Sequence, residues 1–135
     1  MLKTALINPE LMKAVSFCGH RDRILIADGN YPLASKSGDA AKIYLALEKD
    51  CPTATKVLEA LRSVLNFEKA EVMTPDDDTV PVIFDEFKGM LGDIEFVEHE
   101  RQRFYDECCK PDVKIAIMSG ESRLFGNILL TVGVA

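Results

Sequence analysis

Proton-transfer chemistry is possible at both ends of one short apolar run in the first third of the chain. His20 precedes the run in a charged loop, and an imidazole can donate or accept a proton near neutral pH. Asp28 follows the run directly, where its carboxylate could accept a hydrogen bond from a ligand. Both residues also have ordinary explanations, because aspartates at strand ends often form turns and loop histidines are often only solvated. Residues 17–32 are therefore the first stretch in which to look for a site.

The apolar run itself separates these two residues. If residues 23–27 form an extended strand at about 3.3 Å per residue, His20 and Asp28 lie near its opposite ends. We therefore hypothesise that a site using both residues joins neighbouring subunits.

The elements that must position these side chains alternate between helix and strand along the chain. Asn8 caps the first helix with Pro9 at its first position, and Thr53 caps the second. The predicted helices cover residues 9–18, a segment following Thr53, residues 80–90 and residues 100–109. The predicted strands cover residues 23–27, 42–47, 69–73, 95–97, 113–118 and 128–132. Residues 29–41 are predicted to form a long loop, and such loops are commonly functional.

This alternation predicts an α/β fold, a single-domain layered sandwich around a mainly parallel sheet that includes all of residues 1–135. Ligand sites in such sheets lie at the carboxyl ends of strands. Asp28, residues 119–121, and the loop carrying His99 and Arg101 all follow predicted strands, so we expect them to converge.

Composition narrows the classes of partner. The net charge is −6 with scattered lysines and arginines, which argues against nucleic acid as a partner. No apolar run approaches the roughly 18 residues that a membrane span needs. The four cysteines show no CxxC spacing, so we expect free thiols in the cytoplasm and no zinc site. The acidic run at residues 76–78 lacks the pattern of a calcium loop and is predicted to begin a helix.

Two motifs, one near each end of the chain, resemble the D-ribose pyranase and L-fucose mutarotase family, the RbsD/FucU-like proteins. The first motif is Gly19-His20, then residues 24–28 and Asn30-Tyr31-Pro32; the second is Ser119-Gly120-Glu121, then residues 125–130 and Gly133-Val134. Residues 2–4 and 9–11 also fit, whereas residues 36–94 are less diagnostic. Arg101 precedes Phe104-Tyr105-Asp106, which is similar to the fucose branch, since ribose pyranases carry a histidine in place of this arginine.

The resemblance implies an isomerase that opens and recloses the ring of a free monosaccharide without cofactor or metal. Such an enzyme takes a proton from the anomeric hydroxyl and gives one to the ring oxygen, so two proton-handling groups suffice. The family's proton donor falls on His20, and Asp28 is the second catalytic residue. The implied sugar-binding residues are Asp28, Arg101, Phe125, Gly126 and Asn127. The family's α/β sandwich assembles as a decamer of two pentameric rings with sites at subunit contacts, and we expect the same here.

The substrate and the activity stay open at this point. L-fucose mutarotation is the leading hypothesis, and D-ribose pyranase action is the close alternative. A non-catalytic monosaccharide-binding or transport-associated protein is a third interpretation, because Phe125 stands where the family usually has tyrosine and so lacks a hydroxyl. His99 lies near the predicted site but matches no trusted family position, and we expect it to be solvated.

Overall fold

The computed structural model describes residues 1–135, and its helices and strands alternate much as the sequence predicts. The helices are α1 (Pro9–Ser16), α2 (Ala54–Arg62), α3 (Val82–Leu91) and α4 (Arg101–Cys108). The strands are β1 (Arg23–Ala27), β2 (Ala41–Tyr44), β3 (Phe67–Met73), β4 (Glu95–His99), β5 (Val113–Met118) and β6 (Ile128–Val132). None of the helices is long and apolar enough to cross a membrane.

One six-stranded sheet has the order β2-β5-β1-β6-β3-β4. The pairs β2–β5, β1–β5 and β3–β4 are parallel, and β6 lies antiparallel between β1 and β3. Only β6 therefore runs against the other strands. The prediction of a mainly parallel sheet in a single α/β unit is confirmed.

Strand β1 is buried along its whole length because both faces of the sheet are covered there. Successive side chains of a strand point to opposite faces. Ile24 and Ile26 accordingly belong to the core under α1, α2 and α3. Leu25 and Ala27 belong to a smaller core under α4 and the loop that follows β1. This explains the apolar run without alternation.

The strand directions bring the carboxyl ends of five strands and the amino end of β6 to one edge of the sheet. The registers Ala27↔Met118 and Met73↔His99 fix this edge. Residues 28, 100, 119 and 127, which lie just beyond the strands, are thereby placed along it. We call it the carboxyl edge; residues 19–22 precede β1 at the opposite edge.

Several predicted boundaries were wrong by a few residues. Helix α1 ends before Phe17, and Gly19 is not the left-handed stop; the positive φ in this loop belongs to Arg21, at 74°. Strand β4 extends to His99 because it continues to pair with β3. Helix α3 begins at Val82 rather than at Val80. The acidic run does not begin the helix, because Asp77 Oδ1 accepts a hydrogen bond from the backbone N–H of Thr79 and closes a turn.

Candidate functional site

A cavity of about 240 Å³ opens at the carboxyl edge, and we call it the edge pocket. It is lined by residues from the end of β1, from β3 and α4, and from the bend before β6: Asp28, Asn30, Tyr31, Met73, Arg101, Tyr105, Leu124, Phe125 and Asn127. Its volume lies below the range of about 300–1,000 Å³ that is typical of drug-sized sites. The pocket therefore suits a ligand of about one ring.

Asp28 and Asn127 form the polar floor of the edge pocket. The backbone N–H of Asp28 donates to Asn127 Oδ1 at 2.7 Å, and Asn127 Nδ2 donates to Asp28 Oδ2 at 3.1 Å. The N–H groups of Gly126 and Asn30 donate to Oδ2 and Oδ1 of Asp28, at 3.2 and 2.9 Å. The backbone N–H of Tyr31 also favours the charged carboxylate, so the chain's own donors take up most of the about four acceptor positions that a carboxylate offers.

Burial changes the proton affinity of this carboxylate. It raises the pKa of Asp28 above its ordinary value, against the hydrogen bonds from Asn30, Gly126 and Asn127, which favour the charged form. A carboxyl group with a raised pKa in the lining of a pocket is suited to general acid-base work.

The bend before β6 is held in an unusual backbone conformation. Phe125 has a φ of 62°, which is uncommon for a residue other than glycine and is found preferentially at functional sites. A Cβ on Gly126 would lie 2.6 Å from Cγ of Glu121 and 3.1 Å from the carbonyl oxygen of Arg123. Only glycine therefore lets the 126 N–H approach Asp28.

Arg101 stands at the mouth of the edge pocket as the first residue of α4. Glu100 caps this helix, and its carboxylate accepts hydrogen bonds from the N–H groups of Gln102 and Arg103. The Arg101 guanidinium carbon lies 5.7 Å from the centroid of the Phe125 ring, and Nη2 is 3.8 Å from Asp76 Oδ2. The guanidinium is half-exposed, so it keeps donors for a ligand.

His20 is not part of the edge pocket of its own chain. It lies at the opposite edge of the sheet, where its Nε2 is 2.9 Å from Glu68 Oε2 and its side chain is 45% exposed. The five residues of β1 intervene, a length of about 17 Å. The predicted separation of His20 from Asp28 is thus observed, and the pocket joins Asp28 with Arg101, Phe125 and Asn127 but not with His20.

The prediction that His99 is solvated was wrong. Its side chain is only 12% exposed, and its Nε2 lies 2.8 Å from Glu71 Oε1. Glu71 is also buried and accepts from Arg23 Nη1 at 3.0 Å. These residues line a separate polar cavity of about 710 Å³ on the α4 face of the sheet. No local sequence pattern predicts this pairing, because Glu71 and His99 are 28 residues apart and meet only through the β3–β4 ladder.

Residues 119–121 reach the carboxyl edge as predicted but line a neighbouring cavity of about 440 Å³. Burial alone would raise the pKa of Glu121, but hydrogen bonds from Arg123 and from the backbone of Ala54 lower it. Glu121 therefore acts as a buried anchor for the amino end of α2. Five residues of the edge pocket were not predicted as site residues: Asn30, Tyr31, Met73, Tyr105 and Leu124. Asn30 and Tyr31 belong to the first motif and Tyr105 to the run after Arg101, whereas Met73 and Leu124 carried no signal.

The whole chain matches one family. The model of the RbsD / FucU transport protein family covers residues 1–135. The chain belongs to this family. The resemblance seen in the two terminal motifs is thereby confirmed.

Sequence relatives and solved structures of RbsD/FucU proteins agree with this assignment. The chain is 32% identical to proteins named D-ribose pyranase from Clostridium botulinum and from Geobacillus thermodenitrificans, in each case over 99% of this chain and 98% of the relative. Bacillus subtilis RbsD complexed with D-ribose superposes with a TM-score of 0.87 at 24% identity, over 100% of this chain and 99% of that one. The fucose mutarotase of Streptococcus pneumoniae, in complex with L-fucose, gives 0.83 at 22% identity over the same shares. These two structures show that the RbsD/FucU fold is shared.

Proposed function

We propose that this RbsD/FucU protein is a cofactor-independent mutarotase that interconverts the anomers of a free monosaccharide. The observation that carries the proposal is the Asp28–Asn127 pair at the floor of a pocket of about 240 Å³. A buried carboxyl group with a raised pKa in the pocket lining can exchange a proton with a sugar hydroxyl. Arg101 supplies further donors at the pocket mouth, and the Phe125 ring offers an apolar surface for a sugar face.

The reaction needs one base and one acid. A base takes the proton of the anomeric hydroxyl, the bond between the anomeric carbon and the ring oxygen breaks, and an acid protonates the ring oxygen. Rotation about one bond and the reverse transfers close the other anomer, so no proton is gained or lost overall. Asp28 is one of the two proton-handling groups, and His20 is the other.

His20 reaches the sugar from a neighbouring copy of the chain, in a decamer of two pentameric rings. This part of the proposal is supported by the half-exposed imidazole at the edge opposite to Asp28. Exposed apolar side chains lie beside both halves of the site, Phe17 near His20 and Leu124 on the pocket rim. A contact between two different edges of the chain is heterologous, and such contacts form rings when the rotation between neighbouring copies closes.

Subunit mixing tests this shared site. His20→Ala and Asn127→Ala each damage one half, so either variant alone should be inactive. After the two are unfolded and refolded together, hybrid contacts should combine an intact His20 with an intact Asn127 and restore part of the exchange activity. Mixed oligomers without recovered activity, or a fully active monomer, would refute the shared site.

L-fucose is the proposed substrate. Arg101 stands where the family resemblance places the arginine of the fucose branch. The apolar residues Met73, Leu124 and Phe125 suit the methyl group of a 6-deoxy sugar. D-ribose is the second candidate, because the curated relatives at 32% identity are named D-ribose pyranases. A cytoplasmic location belongs to the same proposal and is favoured by the four free thiols.

Exchange NMR on the anomeric protons of both sugars at equilibrium tests activity and substrate together. Faster exchange for L-fucose, lost in His20→Ala, supports the leading proposal, and acceleration only for D-ribose selects the second. Saturation-difference signals without faster exchange for either sugar would refute the enzyme and indicate a binding protein.

A further inference from the structure

The imidazole of His20 is held by a carboxylate of its own chain. His20 Nε2 lies 2.9 Å from Oε2 of Glu68, and both side chains are about half-exposed. An ionised carboxylate can only accept a hydrogen bond, so Nε2 is the ring nitrogen that carries the hydrogen. The neutral ring then has its lone pair on Nδ1, which makes no hydrogen bond within the chain. Nδ1 is therefore available to a ligand.

The strand that carries Glu68 is irregular at this residue. The register of the ladder between β3 and β6 shifts between Phe67 and Lys69, which leaves Glu68 without a regular partner. A shift of this kind, a β-bulge, re-aims side chains and is frequent beside active sites. The irregularity coincides with the carboxylate that contacts His20.

The loop that carries His20 is fixed by backbone hydrogen bonds. The N–H of Arg21 donates to the carbonyl oxygen of Val132 at 2.9 Å, and the Val132 N–H donates to the carbonyl oxygen of Asp22 at 2.8 Å. Arg21 has a φ of 74°, and left-handed residues other than glycine are concentrated at functional sites. Because Phe67 also pairs with Val132, the loop and the bulge are attached to the same end of β6.

We infer that Glu68 is a positioning residue for His20, which fixes the ring and leaves Nδ1 to exchange a proton with the sugar bound by the neighbouring copy. The inference rests on the proposed mutarotase function. The proton passes between a sugar oxygen and Nδ1, Nε2 keeps its own hydrogen, and the Glu68 carboxylate stays charged throughout. A carboxylate orients the histidine of a catalytic triad in the same way and stabilises the imidazolium that forms.

Glu68→Ala removes this partner and leaves the edge pocket intact, because Glu68 does not line it. The exchange rate at saturating sugar should fall about 10- to 100-fold, the range found when the carboxylate partner of a metal-bound histidine is removed. The sugar concentration for half-saturation should change little. Glu59→Ala is the matched control, since Glu59 is exposed and also makes one ion pair at 2.9 Å, with Lys56. Its rate should equal that of the wild type, and thermal melting shows whether both variants are folded.

Subunit mixing separates a role in holding His20 from general damage to the fold. Glu68→Ala refolded with Asn127→Ala should regain activity, because hybrid sites combine an intact His20–Glu68 pair with an intact Asn127. Glu68→Ala refolded with His20→Ala should regain none, since neither chain then carries the intact pair.

Recovery in both mixtures would overturn the inference. So would a loss confined to half-saturation, or an equal loss in Glu59→Ala. If wild type itself accelerates neither sugar, the proposed function fails; if wild type is active and Glu68→Ala is equally active, only the role of Glu68 fails.

Discussion

Asp28 and Asn127 bind each other through two hydrogen bonds, although 99 residues separate them in sequence. The ladder between β1 and β6 has its last pair at Ile26 and Ile128. Beyond this pair, the Asn127 side chain makes the hydrogen bonds that the ladder no longer supplies. Its Oδ1 accepts from the backbone N–H of Asp28, and its Nδ2 donates to the Asp28 carboxylate. The same contact therefore ends the sheet and builds the floor of the pocket.

Asn127→Asp should destabilise the protein by about 1–3 kcal/mol at neutral pH, because a donor to Asp28 Oδ2 becomes a second carboxylate. The two like charges raise the pKa of the pair in the folded state above the unfolded values. The loss of unfolding free energy is therefore complete at neutral pH. It shrinks as the pH falls through the raised pKa of the folded state and disappears below the pKa of the unfolded state. Urea unfolding from neutral to acidic pH measures it.

The control for this substitution is Asn66→Asp. Asn66 is exposed and donates only to the carbonyl oxygen of Val134 near the chain end. Its unfolding free energy should change by no more than about 0.5 kcal/mol. A pH-independent deficit in Asn127→Asp would contradict the like-charge explanation.

Gly126→Ala should cost about 1–3 kcal/mol of unfolding free energy, because the new Cβ would lie 2.6 Å from Cγ of Glu121. Relief of this clash moves the 126 N–H away from Asp28, so sugar affinity should fall as well. Gly89→Ala is the contrasting variant: a Cβ there meets nothing within 4 Å, and alanine favours helix α3 by up to about 1 kcal/mol. Thermal unfolding and sugar titration of both variants provide the comparison. Equal stabilities would show that the bend can relax freely.

Arg101→Lys should weaken sugar binding by about tenfold, because lysine lacks the planar fork of donors and the contact with the Phe125 ring. Arg103→Lys on the same helix is the control, since Arg103 is exposed and lies outside the edge pocket. Saturation-difference NMR with both sugars measures the affinities. Unchanged affinity in Arg101→Lys would remove Arg101 from the site.

The sequence was most informative where one local pattern determines the structure. The bounds of β1, β5 and β6 were predicted to the residue, because short, mainly apolar runs of five or six residues followed by turn residues are typical of buried strands and too short for most helices. The predicted left-handed helix stop at Gly19 was wrong. The left-handed residue of this loop is Arg21, and the N–H of Gly19 donates to Asp22 Oδ2 at 2.8 Å.

The site was predictable only in part. Strand ends directed attention to Asp28 and Arg101, and the resemblance added Phe125 and Asn127, so four of the nine lining residues were predicted. The positions of Tyr105 and of the His99–Glu71 pair depend on which neighbours their side chains meet once α4 and β4 have packed against the sheet. That information arises from tertiary packing, and no spacing within one segment encodes it.

The buried carboxylate of Glu107 should make the stability of the protein depend on pH. Burial alone would raise its pKa, but hydrogen bonds from Lys110 and Arg23 lower the pKa from its ordinary 4.5 to about 2. The folded state thus favours the charged form, so the stabilisation is fully present above about pH 4.5 and is lost as the pH falls through about 2. Glu107→Gln should cost about 2 kcal/mol of unfolding free energy at pH 7, and most of this cost should be gone near pH 2.

Glu59→Gln is the matched control for Glu107→Gln. Glu59 also pairs with a lysine three residues away, Lys56, but both side chains are exposed on α2. An exposed pair of this kind contributes at most about 0.5 kcal/mol, so its removal should leave the unfolding curves nearly unchanged at every pH. Chemical unfolding of wild type and both variants between pH 2 and 7 separates the two cases. A deficit in Glu107→Gln that persists at the acid end would show that the side chain acts through packing, because a charge that has been neutralised can no longer stabilise the fold.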